Sequence, residues 1–102
     1  MTVLLRPLGK VSNIIQSTGL EMSYAYDDLV FSDNLVFIVR FDNIRETDLH
    51  VYFNVDCASA EKSKIEQQLI HAAKIEKCRI CDFGSFSIEQ LDDKEELKIN
   101  FK

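Results

Sequence analysis

Leu49-His50-Val51-Tyr52-Phe53-Asn54-Val55-Asp56, with the helical pattern of residues 58–75 close behind it, decides how this chain folds. Residues 49–56 alternate strictly. Leu49, Val51, Phe53 and Val55 fall on one side, and His50, Tyr52, Asn54 and Asp56 on the other, which is the period of a half-buried strand. In residues 58–75, Ala58, Ile65, Leu69 and Ala72 recur at helical spacing with Ala73 beside them. Glu61, Lys64, Gln68, His71 and Lys74 occupy the opposite side. A strand that feeds an amphipathic helix lets the helix fold back over the strand's apolar side.

Working outward from this unit, residues 35–41 are apolar on both faces. Leu35, Phe37, Val39 and Phe41 share one face, and Val36 and Ile38 the other, as in a central strand partly covered on its second side. Ser32-Asp33-Asn34 is a turn by composition. Residues 20–27 alternate, and Leu29-Val30-Phe31 continues them past Asp27-Asp28, so residues 20–31 read as one kinked strand. Residues 8–18 form a helix with the stripe Leu8, Val11, Ile14, Ile15 and Thr18. Pro7 precedes it, and Gly19 suits a left-handed stop. Residues 3–6 are a short extended lead-in, and 42–48 a polar loop. After the long helix, residues 78–91 are extended. Cys81 and Phe83 lie at odd positions and Phe86 and Ile88 at even ones, which places a bulge near Gly84. Residues 92–96 are a charged connection, and Leu97, Ile99 and Phe101 mark a closing strand. The expected architecture is a single α+β domain over residues 1–102. It has two layers, an antiparallel sheet under one long covering helix, in the order α-β-β-β-α-β-β.

The chain has 102 residues, enough for one modest core. It is 46% hydrophobic and 28% charged, the balance of an ordinary globular domain. Twelve Lys and Arg against seventeen Asp and Glu give a net charge of −5. The densest basic positions, Lys62, Lys64, Lys74, Lys77 and Arg79, are interleaved with Glu61, Glu66 and Glu76. No basic face for nucleic acid emerges. The apolar run at the N-terminus stops at Arg6 without a basic region before it, so it is not a signal peptide. No apolar run approaches the ~18 residues of a membrane span. Three cysteines without an export signal point to free thiols in the cytoplasm.

Cys78-Arg79-Ile80-Cys81 spells Cys-x-x-Cys, a redox or zinc spacing. Residues three apart in a strand point to opposite faces roughly 10 Å apart, too far for a disulfide. Cys57 precedes the long helix and Cys78 follows it, so about 27–30 Å of helix separates them. The three thiols cannot share one metal. Cys57 stands at a helix N-terminus, where backbone N–H groups favour a thiolate, and Asp56 or Ser59 is the expected cap. A nucleophile also needs a base. His50 is roughly 23 Å away along the strand and His71 roughly 21 Å along the helix. Both histidines are expected to be separate and solvated. Asp28 and residues 35–41 resemble the strand pair of restriction-type nucleases. Ile38-Val39-Arg40-Phe41 lacks the Glu-x-Lys of those enzymes, so that chemistry is rejected.

The order of elements across residues 8–18, 20–55, 58–75 and 78–101, together with small size and acidic balance, resembles the type III secretion chaperone-like fold. The resemblance implies a non-enzymatic homodimer that holds an extended segment of a protein or peptide partner against apolar surface, without a cofactor. The candidate contact residues are Val11, Ile14 and Ile15 on the first helix and Ile99 and Phe101 on the closing edge strand. Two alternatives stand beside it. One is a thiol- or metal-dependent enzyme using Cys57 or Cys78/Cys81. The other is an acidic regulatory or neutralising partner of a basic protein.

Overall fold

The computed structural model describes residues 8–26, 28–45, 47–90 and 97–102. The elements are α1 (Leu8–Gln16), β1 (Met22–Tyr26), β2 (Leu29–Ser32), a 3-10 turn (Asp33–Leu35), β3 (Phe37–Phe41), β4 (Asp48–Asn54), α2 (Ser59–Ile75), β5 (Arg79–Gln90) and β6 (Leu97–Phe101). The six strands form one sheet in sequence order, from β1 at one edge to β6 at the other. The lead-in at residues 3–6 and the connection at 92–96 lie outside the described residues.

The α+β class holds, with three corrections. The sheet is mixed and not antiparallel: β4 and β5 run parallel, while every other neighbouring pair is antiparallel. The cause is the long helix. It carries the chain from the end of β4 back to the start of β5, so the next strand lies beside β4 in the same direction. The second correction concerns residues 20–31, which form a hairpin and not one kinked strand. Tyr26 pairs with Leu29, and Tyr24 with Phe31. The element order is therefore α-β-β-β-β-α-β-β. The sequence signal at the reversal is the Asp27-Asp28 pair, and the extended pattern reads on past it because no Gly, Pro or Asn accompanies it.

The third correction moves the bulge. Leu49 pairs with Ile80 but His50 pairs with Asp82, so Cys81 is the extra residue. After it, Phe83 packs on the helix side with Ile80, while Phe86 and Ile88 pack on the other side. The change from odd to even apolar positions past Gly84 reflects a strand buried on both faces, with no irregularity at Gly84.

The larger core lies between the helices and one face of the sheet. Val11, Ile14 and Ile15 of α1 join Ile65, Leu69, Ala72 and Ala73 of α2 over Val30, Phe37, Val39, Phe41, Leu49, Val51 and Phe53. At about 1.5–3 kcal/mol for each large apolar side chain removed from water, this face dominates the gross stabilisation. A smaller cluster of Phe31, Ile38 and Phe86 occupies the other face, with Leu29, Tyr52 and Ile99 against it. Neither helix contributes to it.

The ends of α2 follow from local chemistry. Ala58 occupies its N-cap without a side-chain hydrogen bond, so neither Asp56 nor Ser59 caps it. At the other end Cys78 N–H donates to Ala73 O at 2.7 Å and Lys77 N–H to Lys74 O at 3.1 Å. Those are the two bonds of a Schellman stop, with Lys77 left-handed at φ 59°. Helix α1 ends at Gln16, two residues short of the expected Thr18, and Gly19 takes φ 86°. Among the described residues no helix is long and apolar enough to cross a membrane.

Candidate functional site: the uncovered sheet face and its edges

Polar groups on the face away from the helices come from three adjacent strands. Arg40 on β3 lies opposite His50 on β4, and His50 lies opposite Asp82 on β5. The bulge at Cys81 sets Asp82 on the same face as His50. His50 Nδ1–H donates to Asp82 Oδ1 at 2.7 Å, and Nε2–H to Asp42 Oδ1 at 2.9 Å. A neutral imidazole has one N–H, so two such bonds require the imidazolium. Burial of the ring opposes the charge, but the bonds to Asp42 and Asp82 outweigh it and hold His50 above its ordinary pKa. Asp42 is held well below the usual carboxylate range by His50 and by the N–H groups of Arg45 and Ile44. Those two N–H groups donate to its second oxygen at 3.0 and 2.9 Å.

This clamp corrects the expectation of two solvated histidines. His71 is exposed, but the His50 side chain keeps only 13% of its exposure. Both ring nitrogens of His50 are bonded, which leaves no lone pair to take a proton or ligate a metal. Beside it, Arg40 Nε donates to Tyr52 Oη at 3.3 Å, with the guanidinium 5.9 Å from the Tyr52 ring centre. The Tyr52 ring meets Phe101 edge-on at 4.7 Å.

The clamp predicts a pH dependence. The folded pKa of His50 is raised, so its contribution is complete below the ordinary value of about 6.5 and is lost as pH rises through the folded value. The urea midpoint of the wild type falls between about pH 6 and about pH 8.5, and His50→Gln removes most of that fall. Equal slopes in the two proteins would show that the clamp does not control it.

The cysteines are apart and free. Cys57 is half-buried ahead of α2. Burial and then the charge of Glu61 push its thiol up, with Lys62 opposing. Burial likewise pushes up Cys78, whereas Cys81 is exposed at the bulge. A cleft of about 370 Å³ beside the start of α2 has Cys57, Asp56 and Glu61 in its wall. Among the described residues no group of three His, Cys, Asp or Glu side chains is placed to hold a metal ion.

The candidate contact residues divide. Val11, Ile14 and Ile15 are buried in the larger core, so they present no surface on this chain. Ile99 is half-buried in the smaller cluster, and Phe101 is 44% exposed at the β6 edge. The opposite edge escaped the sequence-based expectation because β1 was hidden inside one long strand. Every residue of β1 after Met22 is exposed. Tyr24 and Tyr26 are 60% and 64% exposed, and their rings lie 6.5 Å apart and 9° from parallel. The register shifts between Met22 and Tyr24 and is regular from Tyr24 to Tyr26. Ser23, at the shift, donates from Oγ to Ser32 O at 3.2 Å.

Comparison with protein-family models, with curated proteins and with solved structures finds no match for this chain.

Proposed function

We propose that this chain is a small non-enzymatic module that binds an extended protein or peptide segment as an added strand at the β1 edge. The observation that carries this is β1 itself. It is an edge strand exposed on both faces, without a charge or proline in Met22-Ser23-Tyr24-Ala25-Tyr26. Edge strands are ordinarily blunted by Lys, Pro, bulges or a covering element. The β6 edge has such protection in Lys98 and the adjacent Lys102, whereas among the described residues β1 has only the bulge at its start. Main-chain groups of an edge supply affinity in strand addition, and alternating side chains supply selectivity. What the resemblance to secretion chaperones implies, an extended segment held against the surface, is retained. The contact moves from α1 to β1 because Val11, Ile14 and Ile15 are core residues.

The test is selection of displayed eight- to ten-residue peptides on the folded chain, followed by amide shift mapping. Binders shift residues 22–26, and Tyr24→Lys with Tyr26→Lys abolishes binding without lowering the urea midpoint. Binders mapped to β6 or to the cleft beside α2 would overturn the assignment to β1. Failure to select any peptide would overturn the function.

A further inference from the structure

The ends of β1 and its rings narrow the chemistry of the segment that would pair with it. Between Lys10 and Arg40 the chain has no Lys or Arg, yet that stretch contains Glu21, Asp27, Asp28 and Asp33. The whole β1 edge is built from it. Glu21 stands just before β1 and is exposed. Its carbonyl accepts Asp33 N–H at 2.9 Å, which brings the Asp33 backbone beside it. Asp28 stands at the other end, within electrostatic reach of Arg40 on β3. The edge is therefore acidic at both ends and aromatic between them.

Resting on the strand-addition reading, we propose that the added segment is basic, with Lys or Arg at two alternate positions over Tyr24 and Tyr26. Alternate residues of a strand are ~6.8 Å apart, close to the 6.5 Å between the two ring centres. Two cations spaced that way each reach one of the two exposed rings. Cations beyond the ends of β1 meet Glu21 and Asp28. The net charge of −5 attracts such a segment at long range.

A second copy of this chain fits the same edge worse. Antiparallel pairing of β1 with itself about Tyr24 sets Met22 opposite Tyr26, so Glu21, just before the strand, approaches the end of the other copy that Asp28 marks. Like charges placed opposite each other across strands are destabilising. Self-pairing of β6 about Asn100 sets Lys98 opposite Lys102 in the same way.

Three labelled peptides decide the matter. They share one alternating Thr/Val frame and carry Lys, Gln or Glu at the two alternate positions. The Lys peptide binds about tenfold tighter than the Gln peptide. The Glu peptide binds weakest, and the Lys advantage shrinks at high salt. Tyr24→Leu with Tyr26→Leu, which keeps the apolar area, erases the preference for Lys. Equal binding of the Lys and Gln peptides, with shifts at residues 22–26, overturns the basic preference and leaves strand addition standing. No binding by any of the three overturns both. A sedimentation dimer broken by Tyr24→Lys also overturns the proposal, since the edge is then taken by a second copy.

Discussion

Phe86→Ala lowers the folding stability of this chain by about 3–5 kcal/mol, the usual cost of emptying a buried Phe site. Phe86 lies on the face that the helices do not cover, yet it has 0% exposure. It is packed with Phe31 and Ile38, and its carbonyl accepts Val55 N–H at 2.9 Å. The loss is a large part of the ~5–15 kcal/mol that holds a domain of this size. It corresponds to a fall in Tm of about 12 °C or more. Phe101→Ala, on the same face but 44% exposed, costs far less. Urea titration of both variants measures the contrast. A loss below about 1 kcal/mol at Phe86 would mean that the second face is a loose surface and not a core.

Gly84→Ala has the second large effect, and it acts through one ring. A Cβ at Gly84 falls 2.8 Å from Cδ1 and 3.0 Å from Cε1 of Tyr52. The ring cannot simply swing clear, because Arg40 bonds its hydroxyl and Phe101 sits edge-on against it. Overpacking of this kind costs about 1–3 kcal/mol. The cost depends on Tyr52, so Gly84→Ala introduced into a Tyr52→Ala background is nearly neutral. A double-mutant cycle on urea stability reads the coupling directly. An unchanged cost in the Tyr52→Ala background would place the strain in the backbone, the Lys102 carbonyl at 3.4 Å being its nearest group.

The parts of the fold legible in the sequence are those set by local periodicity. Residues 49–54 and 59–75 form the expected strand and helix, because Leu49, Val51 and Phe53 and then Ile65, Leu69 and Ala72 keep their periods over whole elements. Two hidden features depended on pairing. The reversal after Tyr26 becomes visible only once Tyr24 faces Phe31. The parallel direction of β5 follows from where α2 delivers the chain. The clamp was out of reach for the same reason. Asp82 faces His50 only because Cys81 is bulged out, and Asp42 reaches the ring from the loop before β4. A polar residue seen alone in an alternating strand gives no sign of a partner 32 residues later.

The parallel seam between β4 and β5 also has a consequence for the order in which the chain assembles. The pairings from β1 to β4 join neighbours in sequence and can form as soon as both strands exist. The seam must wait for the 17 residues of α2 and for the closure of that long segment, whose entropy opposes early pairing. Loop closure therefore places it among the last contacts to form. Two ionic contacts cross it near its start, Asp48 with Arg79 at 3.2 Å and His50 with Asp82 at 2.7 Å. They act as a latch on this late seam, and because one of them needs the His50 imidazolium, rising pH loosens the hold of β5 and β6 on the strands before them.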